Sequence, residues 1–140
     1  MSLINSFHFE LVSPKRCIFS GEVKSVILPS ESGDMTALVG HSAVLVTMKP
    51  GIITVALSCG DAHRYVVIGG VCDIMPSRCT VLTETVFSID QVCLKTLENR
   101  MDETRDVLGS IYDSDQRSQL EQFLVDLSYL YSRVRDKSSL

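Results

Sequence analysis

The chain has 140 residues, of which 45% are hydrophobic and 21% are charged, a composition typical of one soluble domain or of a small domain with an appendage. Its net charge of −4, from 13 basic and 17 acidic side chains, disfavours a nucleic-acid-binding surface. The apolar runs are shorter than the roughly 20 residues of a membrane-spanning helix, and residues 1–6 resemble no secretion signal. We therefore expect a cytoplasmic protein without direct membrane insertion.

The first part of the chain predicts short β-strands. Phe7, Phe9 and Leu11 alternate with polar residues, a period of two that indicates a strand with one buried face. Prolines and glycines, including Pro29 and Pro50, then interrupt the β-forming segments so often that about nine strands are expected. This pattern favours an antiparallel sandwich or flattened barrel over a parallel sheet.

The last part of the chain predicts two helices, because apolar residues recur there at spacings of three and four. Ser88 is expected to cap the first helix, Gly109 to end it, and Ser114 to begin the second. The domain prediction is a β-sandwich over residues 1–87 and a helical hairpin, with a possible hinge before it, over residues 88–140.

No residues form a recognisable catalytic, metal-binding or phosphate-binding motif. The histidines His8, His41 and His63 lack metal-ligand spacing, and the glycines form no phosphate loop. The five cysteines include no Cys-x-x-Cys pair and are expected to be reduced and mostly buried. The residues alone favour a binding or coupling module that is not an enzyme and needs no metal. A small hydrolase that uses His41 or His63 is the enzyme alternative.

Six segments carry a likeness to a known family. In chain order they are residues 9–14, 19–23, 33–41, 49–51, 69–70 and 76–84. In order and spacing they resemble the epsilon subunit of the bacterial F-type rotary ATP synthase. The resemblance implies a flattened β-sandwich of about ten short antiparallel strands, followed by a C-terminal α-helical hairpin.

The resemblance also implies a function. Such a subunit is a non-catalytic part of the central stalk that couples rotation of the membrane rotor ring to the catalytic head. Its partners would be the gamma subunit, the rotor-ring c subunits and, through its helices, the alpha and beta subunits of the head. It would lie peripherally on the cytoplasmic side of the bacterial inner (plasma) membrane. In many family members the hairpin blocks ATP hydrolysis, and the sequence leaves open whether it does so here.

The alternative function is a free-standing β-sandwich adaptor whose helical hairpin binds another protein. Such an adaptor would not join a gamma subunit or a rotor ring. The residues alone do not separate these two functions.

The resemblance assigns two sets of contact residues. The rotor-ring contacts are Glu31, Ser32 and Asp34. The contacts with the gamma subunit or the ring are Ser13, His41 and Val46. The family usually has prolines where this chain has Val39 and Ala43, so we expect this corner to be softer than is usual in the family.

Some family members bind ATP through residues of the hairpin, and this chain matches that site only partly. Glu84, Asp90 and Arg100 stand at matching positions, but Cys93 replaces an arginine and Leu94 an alanine. A thiol cannot supply the fixed cationic fork with which a guanidinium holds phosphate. We therefore expect a vestigial nucleotide site and no bound cofactor.

Overall fold

The alternating residues at the start of the chain form the first of seven strands in the computed structural model, which describes residues 5–91 and 94–136. The chain divides into two units, one ending at Ser88 and the other beginning at Ile89. The strands are β1 (Phe7–Val12), β2 (Cys17–Ser30), β3 (Gly33–Leu38), β4 (Val44–Leu57), β5 (Ala62–Met75), β6 (Arg78–Leu82) and β7 (Val86–Ser88). The second unit contains a 3-10 turn (Ile89–Gln91) and the helices α1 (Leu94–Leu108) and α2 (Ser114–Arg135).

The predicted class, a β-sandwich followed by a helical hairpin, is confirmed, but the strands are fewer and longer than predicted. Strands β2, β4 and β5 have 14 residues each, and β2 and β4 continue through the predicted breaks at Pro29 and Pro50. The pairing of β2 with β4 shifts register between Ile27 and Ser30, beside both prolines. Because the ladder is already interrupted there, the missing proline N–H groups break no regular strand pairing.

Strand pairing closes the sheet on itself. The order is β1-β6-β5-β4-β2-β3, and β1 also pairs with β2, so five strands form a ring. Strand β3 extends this ring beside β2, and β7 pairs with β5. The pairing of β1 with β6 is parallel and the other described pairings are antiparallel. The first unit is therefore a closed barrel of five strands to which β3 and β7 are added.

Alternation along the strands places one side of each strand in the core. Phe7, Phe9 and Leu11 are all buried, which confirms the pattern predicted for the first strand. The largest side chains of the core that are less than 2% exposed are Phe9, Leu11, Val23, Val26, Leu28, Ile53, Val55 and Ile74. Burying one such side chain contributes about 1.5–3 kcal/mol, so this core is the main source of stability in the unit.

The cysteines only partly follow the prediction that they are mostly buried. Cys72 and Cys79 lie in the core with their sulfur atoms 3.3 Å apart, and that hydrogen bond, together with burial, raises the pKa of Cys72. The prediction is wrong for Cys17 and Cys59, which are exposed where strands begin and end. Cys93 lies outside the described residues. All four described cysteines are free thiols.

The two helices form an antiparallel hairpin whose ends differ in detail from the prediction. Gly109 follows the last residue of α1, as predicted. The cap predicted at Ser88 is wrong, because this residue ends β7 and precedes the 3-10 turn. Helix α2 begins at Ser114, and Asp113 caps it by accepting a hydrogen bond from the N–H of Gln116 at 3.3 Å.

Contacts between the helices hold the hairpin together. Arg117 donates to the carbonyl oxygens of Leu108 (2.6 Å) and Ile111 (3.1 Å). These hydrogen bonds satisfy carbonyl groups at and after the end of α1, where the helix itself offers no N–H donor. The Tyr131 hydroxyl donates to Glu98 at 2.7 Å, and this hydrogen bond is the largest cause of a raised pKa for Tyr131. Among the described residues, neither helix combines the length and the apolar character that crossing a membrane requires.

Replacing Gly70 by alanine tests how closely the barrel is packed at that position, and the same replacement at Gly60 is the matched control. Both have positive φ angles, +134° and +101°. A Cβ on Gly70 would lie 2.5 Å from the carbonyl oxygen of Leu82, whereas a Cβ on Gly60 would meet nothing within 4 Å. We expect Gly60→Ala to lower the free energy of unfolding by about 1–2 kcal/mol through backbone strain alone. Gly70→Ala should cost about 1–3 kcal/mol more through overpacking. Urea denaturation measures both losses, and equal losses would contradict the packing argument.

Candidate docking surface

The turn between β2 and β3 is fixed by hydrogen bonds to its own backbone and to β4. The Ser30 hydroxyl donates to the carbonyl of Gly33 at 2.6 Å and accepts from the N–H of Ser32 at 3.2 Å. The N–H of Glu31 donates to the carbonyl of Thr47 at 3.3 Å. Since Ser30 is buried while Glu31 and Ser32 are exposed, the turn presents these two side chains outward from a fixed backbone.

A cleft of about 460 Å³ lies between this turn and the start of β4, and we call it the acidic cleft. Its lining residues are Ser30, Glu31, Ser32, Gly33, Asp34, Met35, Leu45, Val46 and Thr47. The three predicted rotor-ring contacts, Glu31, Ser32 and Asp34, are thus brought together. The two carboxylates are the ionisable groups among these described lining residues, so the cleft suits a cationic or hydrogen-bond-donating group.

Val46 lines the cleft, but its side chain belongs mainly to the core. It is 8% exposed, whereas the preceding Leu45 is 70% exposed. Side chains of neighbouring strand residues point to opposite faces of the sheet. The side chain that β4 exposes here is therefore that of Leu45, whereas that of Val46 faces the core.

Ser13 and His41, the other predicted contacts, lie in turns outside the acidic cleft. The Ser13 hydroxyl donates to the carbonyl of Arg16 at 3.2 Å within the turn between β1 and β2. Nδ1 of His41 donates to the carbonyl of Ser42 at 2.7 Å, and its N–H donates to the carbonyl of Leu38 at 3.1 Å. Both residues are half-buried and bonded to nearby backbone.

The corner that holds His41 is anchored to a neighbouring turn. The N–H of Gly40 donates to the carbonyl of Pro76 at 2.7 Å, in the turn between β5 and β6. Val39 and Ala43, which stand where the family usually has prolines, are exposed on either side of this anchor. The backbone bond therefore fixes the middle of the corner.

A second surface, which the sequence analysis missed, lies beside the acidic cleft. In the register of the sheet, Leu45 is opposite Asp73, Val71 is opposite Leu82, and Met75 is opposite Arg78. Four of these outward side chains are apolar, and we call them the apolar sheet face. They are Leu45, Val71, Met75 and Leu82, with 70%, 40%, 46% and 54% of their surface exposed. A shallow cavity of about 510 Å³ lies over the β5 and β6 part of this face.

Charged residues border the apolar sheet face along β1, β2 and β6. Arg78 donates to Glu10 at 2.7 Å, and the two ring nitrogens of His8 lie 3.2 Å from Glu10 and 3.4 Å from Glu22. An exposed apolar centre with a charged rim is typical of a protein interaction surface.

One residue could have revealed the apolar sheet face in the sequence. Asp73 is the charged residue within the otherwise apolar segment 71–75. Its carboxylate favours the solvent side of the sheet, which places Val71 and Met75 on that side and Cys72 and Ile74 in the core. The observed exposures follow this alternation.

The residues assigned to a vestigial nucleotide site lie in different units. Glu84 is an exposed residue of the first unit, and Asp90 is an exposed residue of the 3-10 turn in the second. The Arg100 guanidinium lies 5.5 Å from the ring centre of Phe123, an arrangement that allows a cation–π contact. Cys93, on which the prediction of no cofactor depends, lies outside the described residues. Within residues 5–91 and 94–136, no three His, Cys, Asp or Glu side chains are arranged to hold a metal ion.

Comparisons with known proteins identify the family. Residues 6–89 match the family model described as "ATP synthase, Delta/Epsilon chain, beta-sandwich domain". The chain is 39% identical over 128 residues to an ATP synthase epsilon chain of Rhizobium meliloti, covering 91% of this chain and 95% of that relative. It is also 40% identical over 132 residues to an ATP synthase epsilon chain of Mesorhizobium japonicum, and this match covers 94% of this chain and 98% of that relative.

Two solved structures share the fold at low sequence identity. One, of the Euglena gracilis mitochondrial ATP synthase, contains a chain with a TM-score of 0.70 and 19% identity, covering 98% of this chain and 84% of that one. The other is of the Tetrahymena thermophila mitochondrial ATP synthase central stalk and c-ring. Its matching chain has a TM-score of 0.65 and 12% sequence identity, and the match covers 91% of this chain and 94% of that one. These structures show the shared fold, and the sequence relatives favour an ATP synthase subunit over the free-standing adaptor and the hydrolase. The chain belongs to the ATP synthase epsilon chain family and is a non-catalytic subunit of that synthase.

Proposed function

We propose that this central-stalk subunit couples rotation of the rotor ring to the catalytic head by docking through the acidic cleft and the apolar sheet face. The observation that carries the proposal is that both surfaces meet at Leu45, which lines the cleft and belongs to the face. A subunit that transmits rotation must hold two neighbours at once. Two adjoining surfaces of different chemistry serve that purpose.

The acidic cleft is the proposed contact with the polar loops of the rotor-ring c subunits. Glu31 and Asp34 supply carboxylates and Ser32 supplies a hydroxyl, all on a turn fixed by backbone hydrogen bonds. Preformed charges of this kind give specificity and orientation rather than large affinity.

The apolar sheet face is the proposed contact with the gamma subunit, because apolar centres predominate in permanent interfaces. Ser13 and His41 lie at opposite ends of this face. Ser13 follows Val12, which is opposite Leu82 in the register, and the corner of His41 is bonded to the turn after Met75. These positions support their assignment to the contact with gamma or the ring.

The proposed location is the cytoplasmic side of the bacterial inner (plasma) membrane. The sequence relatives are bacterial ATP synthase epsilon chains. In a bacterium, the rotor ring that the cleft is proposed to contact would lie in that membrane. The chain would be held there peripherally, through its partners.

Asp34→Asn tests the role of the acidic cleft, with Asp61→Asn in the turn between β4 and β5 as a matched control. The amide keeps the size of the side chain but removes the charge. An exposed charge pair contributes about 0.2–1 kcal/mol, so docking to the ring should weaken by up to about fivefold. In membrane vesicles we expect ATP-driven proton pumping to fall more than ATP hydrolysis, with Asp61→Asn unchanged. An equal loss of both activities would contradict the assignment.

We also propose that the hairpin contacts the alpha and beta subunits of the head and restrains ATP hydrolysis. Val125 and Tyr129 lie one turn apart on α2 and are 59% and 66% exposed. Apolar side chains at this spacing form a stripe that suits a groove on a partner.

Ending the chain after Ser88 tests this restraint. The cut keeps β7, whose residues Val86–Ser88 pair with β5, so the barrel retains its strands. We expect ATP hydrolysis by the reassembled complex to rise. The double variant Val125→Ser and Tyr129→Ser should raise it as well while keeping the helices. Unchanged hydrolysis in both would show that the hairpin is not a brake.

We further propose that the chain does not bind ATP tightly, because Cys93 lacks the guanidinium of the family motif and Arg100 lies against Phe123. Calorimetry on the full chain should give a dissociation constant weaker than about 1 mM. Cys93→Arg is the matched comparison, because it restores the motif arginine and should strengthen binding. A submillimolar constant for the unaltered chain would overturn the proposal.

A further inference from the structure

Strand β3 has an open edge. Among the described residues it pairs with β2 alone, and the pairing is continuous from Ser25 opposite Leu38 to Ser30 opposite Gly33. Proteins usually protect such edges with lysine, proline or a bulge. The sequence of β3 has no lysine or proline, and its pairing shows no register shift. The edge is therefore able to accept another strand.

The pairing with β2 indicates which backbone groups point away from it. In an antiparallel pair, alternate residues exchange both hydrogen bonds with their partners, and the residues between them turn their N–H and C=O outward. Pro29, opposite Asp34, has no N–H and cannot form such an exchange. The carbonyl of Leu38 accepts from the N–H of His41, which lies outside β2. Asp34, Thr36 and Leu38 thus form the outward set.

The side chains along this edge restrict the chemistry of a partner. Asp34, Thr36 and Leu38 share one side of the strand and all three are exposed. Asp34 also lines the acidic cleft together with Glu31. A strand added here would place a residue beside Asp34 and another beside Leu38, four positions apart on the same side. Charge complementarity favours lysine or arginine at the first position, and the 55% exposure of Leu38 favours an apolar residue at the second.

We propose that an extended segment of a neighbouring ATP synthase subunit adds a strand to the open edge of β3. This segment pairs its backbone with Asp34, Thr36 and the N–H of Leu38, whose carbonyl already accepts from His41, and it carries a basic residue beside Asp34 and an apolar residue beside Leu38. The inference rests on the proposed function, because it requires the chain to be assembled with other subunits. It adds a backbone mode of recognition to the side-chain contacts of the acidic cleft.

Hydrogen exchange measured by mass spectrometry compares the free full chain with the chain in the reassembled synthase. Strand addition predicts that peptides spanning residues 33–38 exchange at least about tenfold more slowly in the complex, because the outward amides become hydrogen-bonded. The exposed turn at residues 58–61 is the internal reference and should not change.

Thr36→Pro removes an outward N–H, and Thr36→Ala keeps it while removing the same side chain. We expect retention of Thr36→Pro in the complex to fall about tenfold, with Thr36→Ala retained like the unaltered chain. Thermal unfolding of each free variant checks its folding. If Thr36→Pro does not fold, the exchange measurement on the unaltered chain decides alone.

Two results would overturn strand addition and leave the proposed function intact. One is an incorporated chain whose residues 33–38 exchange as fast as in the free chain. The other is equal loss of retention for Thr36→Ala and a folded Thr36→Pro. If the unaltered chain is not incorporated at all, the proposed function fails and strand addition fails with it.

Discussion

The structure of the first unit depends on the closure of its sheet by β1. This strand pairs in parallel with β6 and antiparallel with β2, and these two pairings join the ends of the strand order. Once the ring is closed, each strand residue points either into the core or outward, and a shift by one residue would expose the core. The acidic cleft and the apolar sheet face are consequences of this constraint. The residues of the apolar sheet face alternate with Val46, Cys72, Ile74 and Val81 in the core, and the cleft joins Leu45 to the turn between β2 and β3.

Much of the fold could be predicted from local patterns, because the local pattern and the final packing agree. The alternation of Phe7, Phe9 and Leu11 predicted β1, and Gly109 predicted the end of α1. The predicted breaks at Pro29 and Pro50 failed for a reason that is not local. Both prolines lie where β2 and β4 change register, and only the folded sheet shows that strand pairing is interrupted there.

The candidate site was predictable where its residues are close in sequence and not where they meet through the sheet. Glu31, Ser32 and Asp34 share one turn, so the resemblance located them together, although their roles as contacts stay predictions. The apolar sheet face combines residues from β4, β5 and β6, and strand register alone brings them together. The contact role that the resemblance assigns to Val46 also stays a prediction, and the side chain of this residue is buried. A shift of one residue separates the buried side chain from the exposed Leu45.

The long pairing of β4 with β5 has a mechanical consequence. These strands remain paired from Val44 opposite Ile74 to Ala56 opposite Ala62, and thus join the region of the cleft to the far end of the barrel. If the chain turns with its neighbours as proposed, force applied along these strands would be shared by many backbone hydrogen bonds at once. Such loading in shear resists rupture better than opening the bonds one after another. Under the proposed function, the pairing of β4 with β5 would therefore let the barrel transmit force along these two strands.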